Sequence, residues 1–550
     1  MSLSILIPDS LHINKKNFTS FHTFIEQQKI KVHIEDSHKD WIALYGVYNN
    51  KIDILEDKVE FLSKLTKNDL FNFKVNEINI FYICRAELLS LVSVQPIWYE
   101  NSYPDSTEKI FYKLFENNRL DLLHNMAAAW YWVSFWKKKL ADLPKFSHCC
   151  IFSGSLIYQR SLIELLKHTA TKVMVMESLF TGNEYYCEER YSPIANNSDI
   201  KHNTIYKSHL KALEDKNLYD RERIKAINKF ILSKNKNVEQ PTNSVDISFK
   251  DMTKPIVTIV GQVINDFSVL EYKNLGLSTI DTYKKIIYQL ASAGFNVVFK
   301  SHPWEEKKNN IKTALTKKII ESYINELPED LKESIQVVDH YSIKKLFSQS
   351  KWIMGLNSQG LLEAAFEGFK PIQLGNAFYG NKGFTHDYHV NDLPKLIENM
   401  LNNSINPILT LTEFNDFEKF ITVLLQKHTV SIHNSGLLNL RNIFALPNTI
   451  PLVTSANVKK ISSPANLKKS NDLTKTNDTK NQKTQISAAP LQNNYAVATI
   501  KNTDINLVLN HKTHKRKLTK LKTNPRLFFS ESKFAILRPL RHLFSYKELS

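Results

Sequence analysis

From Pro255 to Leu374 the chain alternates short apolar runs with stretches of helical periodicity, and few folds accept that rhythm. Ile256-Val257-Thr258-Ile259-Val260 has the length and β-branched content of a strand buried on both faces. Thr279 to Ala293 follows as an amphipathic helix closed by Gly294, and Asn296-Val297-Val298-Phe299-Lys300 is the next strand. After a Lys-rich helical region come Ile335-Gln336-Val337-Val338, a helix from Ser342, and Lys351-Trp352-Ile353-Met354. A helix over Leu361 to Phe366 and the run Pro371-Ile372-Gln373-Leu374 close the series. Strands without polar alternation need cover on both faces, and the intervening helices supply it. The segment therefore predicts βαβ units around a parallel sheet, a Rossmann-like domain over 252–410.

The first half is less regular. Strands are expected at Ser4–Ile7, Ile78–Ile83, Cys149–Phe152 and Lys172–Met176, with helices over Leu120 to Leu140 and Leu156 to His168. This makes residues 1–245 a second α/β domain, facing the other across a cleft. The polar stretch Ser233 to Ser244, with Pro241, separates the two. Residues 411–454, through a helix at Glu413 to Gln426, are expected to pack back across both.

A length of 550 residues with 42 % apolar and 11 % aromatic content suits several real cores, and 13 Gly with 18 Pro excludes collagen-like and low-complexity classes. Four cysteines, two of them adjacent at Cys149 and Cys150, fit neither a disulfide framework nor a zinc knuckle and point to a reducing compartment. The opening Ser2-Leu3-Ser4-Ile5-Leu6-Ile7-Pro8 lacks a basic flank and reads as a first buried strand rather than a secretory signal. Met126 to Trp136 falls short of the roughly 20 apolar residues of a membrane span.

The net charge of +17 is not spread evenly. Residues 455–500 carry seven Lys against two Asp, and residues 501–550 carry twelve Lys/Arg against three acids, which leaves +3 for the preceding 454 residues. The basicity belongs to an appendage, so nucleic acid is not the expected partner of the body. Residues 455–500, rich in Ser, Asn, Thr, Lys and Gln, read as a disordered tether. Residues 501–550 interleave cations with apolar groups, notably Arg526, Phe528, Phe529, Arg538 and Arg541. That pattern suits a tail lying on an anionic membrane surface, a docking tail for another protein being the alternative.

Ligands of parallel sheets bind beyond the carboxyl ends of the strands. Gly261-Gln262-Val263-Ile264-Asn265-Asp266-Phe267-Ser268 leaves the first such end; Asp266 is either a helix cap or a carboxylate aimed into the cleft. Lys300-Ser301-His302-Pro303 leaves the second, with His302 restricted by the following proline and suited to a phosphate or a proton. Asn357-Ser358-Gln359-Gly360 opens a helix whose free N–H groups suit an anion, and Glu363 one turn later suits ribose hydroxyls or merely complements the dipole. Gly375 to Thr385, including Tyr379 and Lys382, is a Gly-punctuated loop able to close over a ligand. In the first half, Glu177 directly after a strand is a candidate general base or an ordinary surface carboxylate, and Arg190 lies on a polar loop beyond it. HExxH, a Cys/His zinc cluster, Asp-x-Asp, a Walker loop and GxGxxG are all absent.

Taken in order, Gly261-Gln262-Val263…Asp266…Ser268, Lys300…His302-Pro303, Asn357-Ser358…Glu363-Ala364 and Gly375…Phe378-Tyr379…Gly383-Phe384-Thr385 resemble bacterial capsule polysaccharide biosynthesis proteins. Within these they look most like the retaining β-Kdo (3-deoxy-D-manno-oct-2-ulosonic acid) transferases of Gram-negative surface polysaccharides. The resemblance is strongest over 255–390 and thinner over 145–195; at the helix-opening turn the family usually has its Gly where Leu361 stands.

The resemblance implies an α/β fold of GT-B type and a metal-independent transfer from CMP-β-Kdo, with no cofactor. By motif, the catalytic residues would be Asp266, the nucleophile that forms a covalent Kdo adduct, Glu177, the base for the acceptor hydroxyl, and His302, which would bind the CMP phosphate or assist its departure. The donor would be held by Gln262, Lys300, Ser301, Asn357, Ser358, Gln359, Glu363, Tyr379, Lys382 and Thr385. It further implies a glycan or glycolipid acceptor, other capsule-assembly enzymes as partners, and a place at the inner face of the cytoplasmic membrane. Two alternatives stay open: a different nucleotide sugar on the same fold, and a non-catalytic polysaccharide assembly or export factor.

Overall fold

The computed structural model describes residues 3–42, 44–100, 103–233, 245–271, 279–307 and 311–446. The expected tether at 455–500 and basic tail at 501–550 lie outside the described residues, as does nearly all of the polar stretch at 233–244.

The first half is built on strands β1 (Ser4–Ile7) and β2 (Lys31–Ile34), helices α1 (Ile80–Val92) and α2 (Arg119–Asp142), strand β3 (His148–Phe152), helix α3 (Ile157–Leu166), and strands β4 (Lys172–Ser178) and β5 (Glu184–Glu189). The sheet runs β2-β1-β3-β4 in parallel and then continues with β5 antiparallel to β4. The strand expected over Ile78–Ile83 is not there. Only Ile78–Asn79 pairs, in a small hairpin, and the Asn79 side chain then accepts from the Tyr82 N–H at 3.1 Å to cap α1. Helix α1 is buried almost all round. An apolar run without a polar face therefore imitated a strand.

The second half carries β6 (Ile256–Val260), α4 (Phe267–Leu270), α5 (Thr279–Ser292), β7 (Asn296–Lys300), β8 (Ile335–Val338), α6 (Ile343–Ser348), β9 (Trp352–Gly355), α7 (Gly360–Phe366), β10 (Ile372–Gln373) and β11 (His386–Asp387). Its strands lie in the order β8-β7-β6-β9-β10-β11, all parallel. This is the third-second-first-fourth-fifth-sixth order of the dinucleotide-binding fold. Val257, Ile259, Val297, Phe299, Met354 and Ile372 are wholly buried between its helical layers. Helix α8 (Leu411–Val423) then returns, setting the Phe417 ring edge-to-face against Phe230 of the first half and tilted against Phe366 of α7, and strand β12 (Val430–Ser431) adds antiparallel to β5. The chain thus crosses between the halves twice, and both sheets point their carboxyl ends at one cleft.

Candidate active site in the cleft

In the second half the connections from β6 and β9 leave in opposite directions, which opens a crevice at their carboxyl ends. The loop after β6 is pressed onto the neighbouring strand: a Cβ at Gly261 would stand 2.8 Å from the Lys300 carbonyl oxygen. Gln262 is a strut here. Its Oε1 accepts from the Asn357 N–H at 3.0 Å and its Nε2 donates to Ser268 Oγ at 3.3 Å, while Asn357 Nδ2 donates to the Ser268 carbonyl at 3.2 Å. Asp266 Oδ1 caps α4 by accepting from Ser268 N–H at 2.8 Å, and the residue also lines the cavity.

Three groups hold this loop from outside the motif. The Glu305 carboxylate accepts from the N–H groups of Ile264 and Thr316, at 3.0 and 2.8 Å. From the first half, the Ser90 carbonyl accepts from Asn265 Nδ2 at 3.1 Å, and Arg160 meets the Glu271 carboxylate at 3.4 Å. Asp266 therefore sits on a loop fixed at both ends.

Lys300, Ser301 and His302 form the next stretch of wall. Burial brings the Lys300 ammonium down to about 8, with the Asp339 charge opposing the fall, and Nζ donates to the carbonyl of Asp339. His302 Nδ1 accepts from the Trp304 N–H at 3.2 Å, which fixes the ring on its turn. Asn357, Ser358, Gln359 and Gly360 present the opening of α7 to the same cavity. A Cβ at Gly360 would meet Val260 Cγ1 at 3.1 Å and Ile343 Cδ1 at 3.2 Å, whereas Leu361 is fully buried in the core. Packing of α7 against β6 and α6 thus leaves little room for a side chain at Gly360. Burial raises the Glu363 carboxyl to about 7.

The opposite wall comes from the first half. Strand β4 runs through Ser178, so Glu177 lies within it rather than beyond it, and it lines the cavity together with Ser178, Leu179 and Phe180. Burial pushes the Glu177 carboxyl up to about 7; a hydrogen bond with Ser153 and the charge of His12 oppose the rise, and Asp266 adds to it. Ser153 holds a left-handed backbone, φ 54°, at the end of β3, a conformation that is costly for any residue but glycine. His12, at the end of β1, also lines the cavity, with its Nδ1 3.2 Å from Asp9 Oδ1 and 3.0 Å from the Tyr158 hydroxyl. The cavity measures about 720 Å³, and Glu177 and Asp266 enter it from opposite halves.

The cleft gathers Asp266, Glu177, His302, Gln262, Lys300, Ser301, Asn357, Ser358, Gln359 and Glu363. It does not gather Tyr379, Lys382 or Thr385, which are corrected here from ligand-facing to supporting positions. Tyr379 is wholly buried and donates to the Ser358 carbonyl at 2.6 Å, so it props the α7 turn from behind. Lys382 Nζ donates to the Lys201 carbonyl at 3.0 Å and tethers the loop to the first half; Thr385 Oγ1 donates to the Asp387 carboxylate. Arg190 opens the polar loop after β5, but its side chain is buried, with Nη1 2.7 Å from the Glu188 carboxylate. Arg526, Phe528, Phe529, Arg538 and Arg541 lie outside the described residues.

His12, Asp9, Tyr158, Ser153 and Asn196 escaped the sequence reading. Asn196 Oδ1 accepts from the Phe378 N–H at 2.9 Å and latches the halves beside the cavity. Among these, only the polar cluster Asp9-Ser10-Leu11-His12 after a buried strand carried a signal, and it was legible by the rule applied to the second half. Among the described residues no group of three or more His, Cys, Asp or Glu is placed to hold a metal ion, and no helix is long and apolar enough to cross a membrane.

Residues 183–403 match the family model described as capsule polysaccharide biosynthesis protein, a span that runs from β5 past β11 and includes the whole second-half wall of the cavity. No curated protein matches the chain. Among solved structures it is similar to the KpsC β-Kdo 2,4 transferase of Thermosulfurimonas dismutans, with 16 % identity over 50 % of this chain and 79 % of that one and a TM-score of 0.30. It is also similar to the KpsC β-Kdo 2,7 transferase of the same organism, with 14 % identity, 56 % and 88 % coverage and a TM-score of 0.30. The glycosyltransferase SnogD of Streptomyces nogalater aligns at 8 % identity over 80 % of this chain and 99 % of that one, with a TM-score of 0.24. The resemblance to capsule polysaccharide biosynthesis proteins holds over 183–403, and two Rossmann-like halves about one cleft give an α/β fold of GT-B type.

Proposed function

We propose that this chain is a capsule or surface polysaccharide glycosyltransferase that moves β-Kdo from CMP-β-Kdo to a glycan or glycolipid hydroxyl with retention of configuration. The observation that carries the reading is the entry of two carboxylates, Asp266 and Glu177, into one cavity from opposite halves, beside a lysine, a histidine and a helix opening. In the first displacement an Asp266 oxygen attacks the anomeric carbon, the bond to the phosphate oxygen breaks, and CMP leaves with the electron pair. Lys300, His302 and the N–H groups at Asn357 to Gly360 receive its charge. In the second, Glu177 takes the proton of the acceptor hydroxyl, the acceptor oxygen attacks the same carbon, and the Asp266 carboxylate departs. Two inversions retain the configuration, and each barrier is lower than that of a single direct step.

Glu363 suits the ribose, and Gln262 and Tyr379 act by holding the α7 turn in place. The reaction as drawn uses side chains and backbone dipoles of this chain and no cofactor. The basic tail at 501–550 would hold the enzyme to anionic lipid at the inner face of the cytoplasmic membrane, near a lipid-linked acceptor and its partner enzymes. Deleting it is expected to release the protein from vesicles containing phosphatidylglycerol while leaving CMP release unchanged.

The reading is tested by CMP release from freshly generated CMP-Kdo together with calorimetric titration of CMP. Asp266→Asn, which keeps the helix cap, should lose at least about a thousandfold in release and keep CMP affinity within about threefold. A wild-type chain that neither binds CMP nor releases it would overturn the donor. Collapse of CMP affinity in Asp266→Asn would make Asp266 a binding residue instead of the nucleophile.

A further inference from the structure

The first-half wall carries a strained aromatic residue that the two displacements leave unused. Tyr45 holds a left-handed backbone, φ 47°, and Gly46 after it a second, φ 86°. Among the described residues Tyr45 is the one aromatic residue in that region, where a β-carbon crowds the following carbonyl and Gly, Asn and Asp are most at ease. Its ring is not consumed by the core: the residue is 37 % exposed and lines the cavity that Glu177 and Asp266 enter. Strain of this kind persists only where the surroundings force it, and it gathers at sites that clamp ligands.

What forces it is a set of buried polar groups. The Gly46 N–H donates to Glu87 Oε1 at 2.7 Å, the Tyr48 hydroxyl donates to the same oxygen at 3.0 Å, and Asn125 Nδ2 donates to the Gly46 carbonyl at 2.9 Å. Glu87 and Asn125 are both buried. Helix α1 closes on the turn as well: a Cβ at Gly46 would stand 3.0 Å from Leu91 Cβ and 3.1 Å from the Glu87 carbonyl oxygen. The second Glu87 oxygen accepts from the Ile157 N–H, at 2.6 Å, where α3 begins. A few residues earlier, at the end of β3, the Ser153 N–H donates at 2.9 Å to the carbonyl of Met176, the residue before Glu177. One buried carboxylate therefore ties the Tyr45 turn to the strand end beside the proposed base, and the ring is set in place before any ligand arrives.

We infer that Tyr45 is a specificity-determining residue for the second displacement: its ring is a stacking platform for the apolar C–H face of the acceptor sugar, held on the Glu177 wall by the Gly46–Glu87 turn. This inference rests on the two-step reading above. A pyranose has hydroxyls around its rim and C–H bonds on its faces, and a rigid aromatic ring meets the faces while polar side chains meet the rim. The first-half wall supplies both kinds, with Tyr45 and Tyr186 beside Ser178 and Glu177. Such a wall retains a sugar ring and gives no hold to water, so it favours transfer over hydrolysis of the adduct.

The test uses the full chain with freshly generated CMP-Kdo and a set of methyl pyranosides, methyl β-Kdo among them, as acceptors, and reads the initial rate of product formation by mass. Tyr45→Asn removes the ring and keeps a residue that tolerates the left-handed turn. Its KM for the best pyranoside should rise about five- to tenfold, with kcat within about twofold of wild type. Its unfolding temperature should stay within about 4 °C of wild type, because relief of strain offsets the lost contacts. Tyr45→Phe keeps the platform and should hold KM within about twofold. A wild-type KM in Tyr45→Asn overturns the inference. So does a larger fall in its unfolding temperature, which would make Tyr45 a packing residue. A Tyr45→Phe defect equal to that of Tyr45→Asn assigns the effect to the hydroxyl and also overturns it. A wild-type adduct that water discharges as fast as every pyranoside overturns the platform and leaves the two-step reading intact. A wild-type chain that releases no CMP and never carries the sugar removes the two-step reading, and the inference with it.

Discussion

The second-half wall of the cleft is made of loops leaving adjacent strand ends, each contributing a short contiguous stretch: 261–268, 300–304, 357–363. The first-half wall is made of single side chains from far apart in the chain, with His12, Tyr45, Ser153, Glu177 and Tyr186 brought together by the sheet. The loops hold their shape through backbone donors and buried struts such as Gln262 and Glu305, so that wall offers fixed dipoles and cations suited to a phosphate. The first-half wall presents one carboxylate, one imidazole, one hydroxyl and two phenols as isolated side chains. One wall is built from contiguous loops and the other from dispersed side chains.

The two walls should fail differently when altered. The largest effect is expected at Glu177→Gln, which should slow adduct discharge by about 10²–10⁴-fold and abolish the rise of the rate with pH near 7. The same variant should be more stable than wild type at pH 8. The folded protein keeps Glu177 protonated up to about 7 and the unfolded chain only to 4.5, so the stability its proton confers is full below 4.5 and is lost as pH rises through 7. Thermal unfolding at pH 8 against pH 4.5 checks this, with a gain on the order of 1–2 kcal/mol expected only at the higher pH.

On the other wall, Lys300→Met should weaken CMP binding by about tenfold at pH 7. Because burial places the Lys300 ammonium at about 8, wild-type affinity should itself fall as pH passes that value, and the variant should show no such fall in calorimetry. Gln262→Ala removes a strut and leaves the Asn357 N–H without its acceptor, so CMP affinity should drop by about three- to tenfold with no change in pH profile. The smallest effect belongs to Lys382→Met, with CMP affinity within about twofold and a stability loss of about 1 kcal/mol from the severed tether to Lys201. If Lys382→Met instead rivals Lys300→Met, the loop at 375–385 binds donor after all, and the division between the walls is drawn in the wrong place.

The contrast also explains what could be read before the structure. Buried β-branched runs from Ile256 onward dictate a parallel sheet, and a parallel sheet places its ligand at the strand ends, so Asp266, Lys300, His302 and Asn357 could be found by rule. Tyr379, Lys382 and Thr385 were misread because a Gly-punctuated loop looks alike whether it covers a ligand or braces a turn; only the hydrogen bonds to Ser358, Lys201 and Asp387 decide it. Helix α1 was misread because full burial erases the period that distinguishes helix from strand. His12 and Ser153 were invisible for a different reason. Their meaning depends on Asp9, Tyr158 and Glu177, up to 165 positions away, and on a left-handed residue that no local motif announces.

The central claim, a covalent intermediate on Asp266, is reached most directly by intact-protein mass spectrometry of Glu177→Gln after incubation with freshly generated CMP-Kdo and no acceptor, followed by peptide mapping. The expected result is a chain heavier by one Kdo residue, the label confined to the peptide containing Asp266 and absent once Asp266→Asn is added. Stoichiometric CMP release from an unlabelled chain, with quenching down to milliseconds, would contradict it.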